Sequence, residues 1–338
     1  MFYTNPIIFF SVFFTALLFS LPKEWEETEY IWNFSLRNIC TVGVDTSPQD
    51  YFHFKEYPYN STQYQNIKDN DLVWIRPAFV SKFYKEILPH LNVEIALVIN
   101  DGDETFPKNC GLSPTEVEYL LNHTKIKHVF CQNLDYQGES TNITPIPIGL
   151  DFHSVAYKGG YWGEQGSPLE QELYLKYVID NSLPTSQRKK KIFVDFQHSE
   201  SMRASFSRFL EFKEDRRAIF EQIVKTGLVD FTKRMSRSKL WKIKAQYAFS
   251  VSPFGNGLDC HRTWEDLALG CIVIVKTSSL NPLYEGLPVV IVKDWSEITK
   301  ENLDKWAEQF FDASINPEFR KKLKNVFWIH KIFDTLKK

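Results

Sequence analysis

The sequence predicts an α/β protein of two Rossmann-like domains, each built around a parallel sheet. Three observations lead to this prediction. The chain has 338 residues, and a typical domain has roughly 150. Short, uninterrupted apolar runs alternate with helical segments, as expected for parallel strands that are covered on both faces. A polar linker with a proline, at 181–187, separates two such alternations.

Composition excludes several classes of protein. Lys and Arg number 40 and Asp and Glu number 42, so the net charge is −2. Binding of nucleic acid by bulk charge needs a concentrated basic face, which this balance argues against. The hydrophobic share of 43% excludes a mostly disordered chain. Five cysteines without a CxxC pair indicate neither a zinc site nor a disulfide framework, and one or two disulfides in an oxidising compartment stay open.

The N-terminus, residues 1–22, predicts a membrane or secretory segment. Pro6 to Leu21 is uncharged and apolar, but it is shorter than the roughly 20 residues that span a bilayer comfortably. No Lys or Arg precedes it, so an uncleaved signal-anchor is favoured over a cleaved signal or a packed helix.

The expected localisation follows from this segment. The chain is expected to be a single-pass type II membrane protein of the Golgi or ER lumen if its source is eukaryotic. If the source is bacterial or viral, a cytoplasmic or membrane-associated protein is expected. Glycosylation sequons give this expectation mild support, and they begin at Asn33, Asn60, Asn122 and Asn142.

The first domain is expected at 23–185, and its first part, Lys23 to Asn38, is expected to be a stem or leading helix. Strands are expected at Asp71–Ile75, Ile95–Ile99 and Lys127–Cys131. Between the last two, Ser113-Pro-Thr-Glu116 has the pattern of a helix start with a capping box. Strand, helix and strand at this spacing form a βαβ unit.

Two pairs of residues in this domain are candidates for proton transfer. Asp101 and Asp103 follow the second strand, and ligands of α/β sheets bind beyond the carboxyl ends of the strands. Asp151 and His153 follow Ile143–Gly149, which contains two prolines and is therefore expected to be an edge strand or a loop.

The second domain is expected at 186–300. Its predicted strands are Lys191–Phe196, Tyr247–Val251, Cys271–Val275 and Val289–Val292. Helices are expected at Pro168–Asp180 before it, and at Asp215–Thr226 and Ser236–Ala245 within it. The basic run Arg188–Lys191 precedes a strand and is expected to be a solvated turn. Residues 301–338 are expected to be helical and long enough to reach back to the first domain.

The segment Ser252–Gly270 carries the most specific pattern of the chain. Gly255 and Gly257 permit a close approach of the backbone to a ligand, and Asp259 can cap the helix that follows. The helix N-terminus and Arg262 suit a diphosphate. Glu265, one turn further on, can accept hydrogen bonds from ribose hydroxyls. A nucleotide diphosphate is the ligand that this assembly predicts.

These residues resemble the signature of exostosin-like glycosyltransferases, glycosyltransferase family 47, over 252–276. Asp266 and Val273 depart from the family pattern. The resemblance implies a GT-B fold, in which two Rossmann-like domains face a cleft and C-terminal helices pack back on the first domain. It further implies inversion at the sugar carbon without an obligatory metal. The donor-binding residues that it implies are Gly255, Asn256, Gly257, Asp259, His261, Arg262 and Glu265, and we add Arg203.

The predicted function is transfer of a sugar from a nucleotide-diphosphate sugar, UDP- or GDP-linked, to a hydroxyl of a glycan or glycoconjugate. The general base is one of Asp101, Asp103, Asp151 and His153, and the sequence does not select among them. The diphosphate is expected to meet Arg262 together with Arg203, Arg208 or Arg217. A divalent metal at Asp101-Gly-Asp103 is possible but not favoured.

Aromatic residues receive separate interpretations. Trp264 is expected to pack under its helix, whereas Tyr161 and Trp162 could stack on sugar faces. Two alternatives to the predicted function stay open. One is a non-catalytic carbohydrate-binding or scaffolding protein on the same fold, and the other is a fucosyltransferase-like enzyme that uses GDP-fucose.

Overall fold

The computed structural model describes residues 28–44, 59–157, 162–198 and 214–337. It contains two α/β units, each built on a sheet in which all paired strands are parallel. The predicted fold class, an α/β protein with two parallel-sheet domains, is confirmed. The boundaries predicted at 22, 185 and 300 stay predictions.

The first sheet has the strand order β1-β2-β3-β4 within the described residues. Its strands are β1 Leu72–Ile75, β2 Ile95–Ile99, β3 Ile126–Cys131 and β4 Ile143–Pro145. The side chains of β1 and β2 are buried throughout, which explains why these strands are apolar at every position rather than at every second one. The short β4 holds one proline and lies at the edge, as expected.

The second sheet has the order β6-β5-β7-β8-β9 within the described residues. Its strands are β5 Lys189–Val194, β6 Val229–Phe231, β7 Tyr247–Val251, β8 Ile272–Lys276 and β9 Val289–Val292. The order places β5 and β7 at the centre of the sheet, so the residues that follow them lie at the middle of its carboxyl edge.

Helices cover both sheets. The α-helices are α1 Val80–Glu86, α2 Pro114–Leu121, α3 His153–Tyr157, α4 Pro168–Asp180, α5 Arg216–Val224, α6 Arg237–Lys244, α7 His261–Ala268, α8 Lys300–Gln309, α9 Pro317–Lys321 and α10 Asn325–Leu336. Short 3₁₀ turns lie at Ser61–Tyr64, Pro77–Phe79, Leu88–His90, Thr185–Gln187, Asn281–Tyr284 and Trp295–Glu297. The predicted capping box of α2 is confirmed, because Ser113 and Glu116 each accept a hydrogen bond from the backbone N–H of the other.

One hydrophobic core extends across both domains. It combines side chains of the first sheet with the underside of α7 and with α10, and its members include Ile99, Phe130, Trp264, Leu267 and Trp328. Trp264 is fully buried and contacts Trp328 edge to face at 6.2 Å, so its predicted packing role is confirmed. A second cluster lies on the other face of the second sheet. The five cysteines are free.

The segment expected to be a stem is part of this core. Within the described part of it, Tyr30, Ile31 and Trp32 are almost completely buried. Ile31 donates its N–H to Leu323 and accepts a hydrogen bond from the N–H of Leu150, so the segment lies between the first domain and the C-terminal helices. The expectation of a stem or leading helix is wrong for these residues, because their apolar side chains cover the first sheet rather than face solvent. Residues 23–27 lie outside the described residues.

The basic run Arg188–Lys191 is not a solvated turn. Arg188 is buried, and its guanidinium donates to the carbonyl oxygens of Leu183 and Leu269 at 2.7 and 2.8 Å. The three lysines that follow begin β5. The expectation fails at Arg188 because helix α7 ends beside it, and the carbonyl oxygen of Leu269 at that end takes a hydrogen bond from the Arg188 guanidinium.

The C-terminal helices reach back to the first domain, as predicted. Asn325, at the start of α10, donates its N–H to the carbonyl of Glu29 at 2.8 Å and its side-chain amide to that of Thr28 at 2.7 Å. Arg320 contacts the hydroxyl of Tyr30. The N-terminal and C-terminal ends of the described chain are therefore held together.

The predicted localisation needs correction. No helix in the described parts of the chain is long and apolar enough to cross a membrane, so a single-pass membrane protein is not supported. The segment Pro6–Leu21, on which that prediction rested, lies outside the described residues. Asn33, the first of the four sequon asparagines, is 2% exposed.

Gly149 provides a test of this packing. Its φ of +69° lies in the left-handed region, and a Cβ there would lie 2.5 Å from the carbonyl oxygen of Ile31. We expect Gly149→Ala to lower the free energy of unfolding by at least about 2 kcal/mol more than Gly227→Ala. Gly227 is the matched control, because its φ is +70° but nothing lies within 4 Å of the added methyl group. That variant should lose about 1–2 kcal/mol. Urea unfolding of both variants measures the difference, and equal losses would contradict the packing described.

Candidate functional site

The candidate site lies where the carboxyl edges of the two sheets approach each other. Arg76, Asp101 and Asn133 follow β1, β2 and β3 of the first sheet. Asp195 and Ser252 directly follow β5 and β7, the central strands of the second. Ligands of parallel α/β sheets bind beyond these ends of the strands. The site therefore draws polar side chains from both domains.

The glycine loop of the motif contacts the first domain. Asn256 donates its side-chain amide to Asp103 at 3.2 Å, and Asp259 donates its N–H to the Asn133 side chain at 2.8 Å. A Cβ on Gly257 would lie 2.5 Å from the amide nitrogen of Asn133. Gly257 thus allows close approach, as its sequence context predicted, but in the structure the approaching group is the other domain.

Asp259 does not cap helix α7. The N-cap is Cys260, and its side chain makes no capping hydrogen bond. The carboxylate of Asp259 accepts hydrogen bonds from the N–H of Ile148 at 2.8 Å and from the side chains of Trp264 and Tyr284 at 2.9 and 3.3 Å. Burial raises the pKa of Asp259 to about 6, although the hydrogen bonds from these donors act to lower it. The capping prediction is wrong because donors from elsewhere in the fold surround this carboxylate.

Asp151 and His153 form a hydrogen-bonded pair at the start of α3. His153 Nδ1 lies 2.9 Å from Asp151 Oδ1, and Asp151 also accepts the N–H of Ser154. Burial alone would lower the pKa of His153, but the adjacent Asp151 carboxylate raises it above its usual value. Burial would raise the pKa of Asp151, but His153 and Arg237 hold it well below its usual range. The carboxylate fixes the ring with Nδ1–H as the donor, which leaves the lone pair of the neutral ring on Nε2.

Arg237 connects this pair to the Ser252–Gly270 motif. Its Nη2 lies 2.7 Å from Asp151 Oδ2, and its Nε lies 3.6 Å from Glu265 Oε1. Trp241, one turn along the same helix, donates to Glu265 at 3.3 Å. Arg237 is 7% exposed, so its charge is balanced by these two carboxylates rather than by water. A single buried cation thereby bridges a first-domain carboxylate and a second-domain carboxylate.

Asp101 belongs to the same polar cluster. Its Oδ2 accepts hydrogen bonds from two nitrogens of Arg76, Nη2 at 2.6 Å and Nε at 3.1 Å. Asn33 lies between Asp101 and His153, at 3.4 Å from the carboxylate and 3.0 Å from the ring nitrogen Nδ1. Burial would raise the pKa of Asp101, but the Arg76 guanidinium holds it below its usual value.

His261 completes the cluster from the side of the second domain. Its Nδ1 lies 2.8 Å from the carbonyl oxygen of Gly149, and its ring centroid is 5.4 Å from that of His153. Burial lowers the pKa of His261. Asp151, His153 and His261 have ligand atoms within 4.8 Å of one another and could hold a metal ion. Because both oxygens of Asp151 are engaged by Arg237 and His153, the arrangement suits proton transfer better than binding of a cation.

Two arginines lie beside the glycine loop at the edge of the second sheet. Arg262 pairs through Nε with Asp195 at 3.2 Å. Arg216 donates Nε to the carbonyl oxygen of Phe254 at 2.7 Å, and no carboxylate of the described residues lies within ion-pair distance of it. Burial, and then the charge of Arg262, lowers the pKa of Arg216 to about 10. The two guanidinium groups are therefore close together and incompletely neutralised, as a site for an anion requires.

The other predicted residues divide into those that the structure describes and those that it does not. Arg203, Arg208 and Tyr161 lie outside the described residues. Arg217 is partly exposed and pairs with Glu221 at 2.7 Å on its own helix. Trp162 is 39% exposed and has the guanidinium of Arg234 at 5.1 Å from its ring.

Sequence reasoning missed Arg216, Arg237 and Asn33. For Arg216 a signal existed, because Asp215 is a good N-cap and the next residue then begins a helix that faces the sheet. Arg237 follows Ser236 in the same way. Nothing local marks Asn33, which lies in the segment expected to be a stem.

Comparison with known proteins gives likenesses of architecture only. No protein-family model and no curated protein sequence matches the chain. Among solved structures, a UDP-forming trehalose-phosphate synthase from Burkholderia xenovorans is 12% identical, with a TM-score of 0.42 and coverage of 90% of this chain and 85% of that one. An E. coli trehalose-6-phosphate structure bound with UDP-2-fluoro glucose is 12% identical, with a TM-score of 0.40 and the same coverages.

TarM is also similar, at 12% identity and a TM-score of 0.41, with coverage of 80% of this chain and 56% of that chain. These values identify neither the substrate nor the residues of the site. The resemblance to exostosin-like glycosyltransferases stays a prediction, since no family model supports it.

The contact between Asp259 and the first domain leads to a stability prediction. Asp259→Ala would leave three buried donors without an acceptor, and each such group costs about 1–3 kcal/mol. We expect the variant to lose at least about 3 kcal/mol in guanidinium unfolding. Asp103→Ala, which removes an exposed carboxylate from the same loop contact, should change stability by less than about 0.5 kcal/mol. Similar losses of stability for the two variants would show that the buried carboxylate is not the main stabilising contact between the motif and the first domain.

Proposed function

We propose that this chain is a glycosyltransferase that transfers a sugar from a nucleotide-diphosphate sugar to a hydroxyl of a glycan or glycoconjugate. One observation carries the proposal. Two incompletely neutralised arginines, Arg216 and Arg262, lie at the carboxyl edge of the second sheet, and an oriented Asp151–His153 pair lies at the edge of the first. An anionic leaving group and a base for the attacking hydroxyl need groups of these two kinds on opposite sides of one cleft.

On the donor side, the diphosphate is assigned to Arg216, Arg262 and the N-terminus of α7. Guanidinium groups bind phosphate oxygens in a bidentate manner, and the first turn of a helix adds N–H donors. Arg216 replaces Arg217 in the predicted set, because Arg217 is directed toward Glu221 on the surface. Glu265 lies one turn beyond Arg262, and its carboxylate is the proposed acceptor for ribose hydroxyls.

On the acceptor side, His153 is the proposed general base. Arg76 and Arg237 lower the basicity of Asp101 and Asp151, whereas Asp151 raises that of His153. An effective base at neutral pH has a pKa near 7. Asp151 is then a positioning residue that fixes the ring tautomer, and Trp162 is the proposed platform for an acceptor sugar at the mouth of the site.

The proposed reaction is a single displacement with inversion. The proton of the acceptor hydroxyl passes to Nε2 of His153 as its oxygen forms a bond to the anomeric carbon. The bond from that carbon to the diphosphate oxygen breaks, and its electron pair leaves with the nucleoside diphosphate. Arg216 and Arg262 stabilise the charge that develops there, which is the task that a divalent metal performs in other transferases.

The two arginines can be tested by nucleotide binding. We expect Arg262→Ala and Arg216→Ala each to weaken binding of UDP or GDP about 10–100-fold in calorimetric titrations, because each loses charge-assisted hydrogen bonds of about 1.5–3 kcal/mol. Arg217→Ala is the matched control from the adjacent position and should stay within about twofold. A wild-type protein that binds neither nucleotide, or variants with unchanged affinity, would refute the proposed function.

The base can be tested by kinetics with a donor and an acceptor that give turnover. His153→Asn should lower kcat by about 10²–10⁴ while the nucleotide affinity is retained. His123→Asn, which changes a histidine remote from the site, should have no effect. A non-catalytic carbohydrate-binding protein would show no turnover in the wild type either.

The same base predicts a pH dependence. The base acts when deprotonated, and the pKa of His153 is raised, so kcat/KM should increase with pH around a midpoint above the usual 6.5. Asp151→Asn removes the carboxylate that raises this pKa and should move the midpoint to lower pH as well as lower kcat. A midpoint that does not move in this variant would exclude His153 as the group that titrates.

A further inference from the structure

A buried network of charges lies behind Arg262. Lys244, at the end of α6, is 0% exposed and lies 2.7 Å from Asp195 Oδ2. Its ammonium also contacts Asp266 on α7, whose side chain is likewise 0% exposed. Removing a lysine and two carboxylates from water is costly, and a buried ion pair seldom stabilises a fold better than apolar side chains of the same volume. A network of this kind therefore calls for a role other than stability.

The network ends at Arg262 and restricts its guanidinium. Asp195 Oδ1 lies 3.2 Å from Arg262 Nε, an ion-pair contact without hydrogen-bond geometry, so it is the charge of the buried carboxylate that holds the guanidinium. On the other side, Arg262 Nη1 donates to Ser252 Oγ at 3.2 Å, and that oxygen also accepts a hydrogen bond from Thr263 at 2.9 Å. Asp195 follows β5 and Ser252 follows β7, so two adjacent central strands fix one side chain from two directions.

The balance of charge preserves the ability of Arg262 to bind an anion. Asp195 alone would neutralise Arg262, but Asp195 is shared with Lys244, and Lys244 is shared with Asp266. With Arg216 included, three cations face two carboxylates in this described cluster. One positive charge is therefore left over at the carboxyl edge of the sheet for an anionic ligand.

We propose that Asp195 is a positioning residue for nucleotide binding, which holds the Arg262 guanidinium, through Nε, in the orientation that accepts the diphosphate. This inference rests on the proposed function. Asp195 itself contacts no substrate. Lys244 and Asp266 hold Asp195 in place and spread its charge, so Arg262 is oriented without being neutralised.

A double-mutant cycle on the full chain tests this role, with UDP and GDP as the probes. Asp195→Asn keeps the size of the side chain but loses the ion pair, and we expect it to weaken nucleotide binding about 5–20-fold. In an Arg262→Ala background the same change should have no further effect, because Asp195 acts only through Arg262. Equal losses in both backgrounds would overturn the inference.

Glu172→Gln separates the proposed role from a general loss of stability. Glu172 is a fully buried carboxylate of the first domain that pairs with Lys176 at 2.8 Å and accepts the N–H of Tyr30 at 2.9 Å. Because it belongs to no part of the Arg262 network, the variant should lower the unfolding midpoint while nucleotide affinity stays within about twofold. If it weakens binding as much as Asp195→Asn does, the affinity follows stability and the inference is wrong.

Asp195→Glu provides a second variant in case Asp195→Asn does not fold. It keeps the charge for Lys244 but moves the carboxylate by one methylene, so it should displace the Arg262 guanidinium and weaken binding at least fivefold. Wild-type affinity in this variant overturns the inference. If the wild-type chain binds neither nucleotide, the proposed function itself is rejected. If nucleotide binding does not depend on Asp195, only the positioning role of Asp195 is rejected.

Discussion

The buried contact between Arg237 and Asp151 is the interaction on which the rest of the site depends. It joins a helix of the second domain to a loop of the first across 86 residues of sequence. Because a buried guanidinium is tolerated only with its partners in place, the two domains meet in the arrangement that satisfies it. Asp151 then orients His153, and Arg237 also forms an ion pair with Glu265.

The Ser252–Gly270 motif consequently has two tasks, one of them the nucleotide binding proposed above. Its first part, Asn256 to Asp259, contacts the edge of the first domain. Asp259 donates its N–H to the Asn133 side chain, and its carboxylate accepts the N–H of Ile148. Its second part, with Arg262 and Glu265, lines the edge of the second sheet. A ligand bound to the second part would lie close to the domain contact formed by the first, so the same short segment contributes to both the domain contact and the proposed chemistry.

The sequence predicted the parts of the fold that local patterns determine. The strands Ile95–Ile99 and Tyr247–Val251 have the predicted bounds, because a continuous apolar run between polar residues leaves little choice. The helix cap at Ser113 is equally local. Asp259 also had the pattern of a cap. Its carboxylate instead accepts hydrogen bonds from Ile148 and Tyr284, which are distant in the sequence, so a local pattern could not predict these partners. The buried segment Tyr30–Trp32 has no helical or strand periodicity. Its burial depends on contacts with the C-terminal helices, which the local sequence does not reveal.

A chain with a net charge of −2 can still present a strong local field for an anion. The arginines and carboxylates of the site are not spread over a surface but are paired in order, from Asp266 through Lys244 and Asp195 to Arg262. In this series Asp195 is shared by Lys244 and Arg262, so the outermost guanidinium keeps part of its charge. Arg216 adds its own charge and donates to the carbonyl oxygens of Phe254 and Pro253. Net charge is a sum over the whole chain, whereas the local order of charges determines the electrostatic field at this edge of the second sheet.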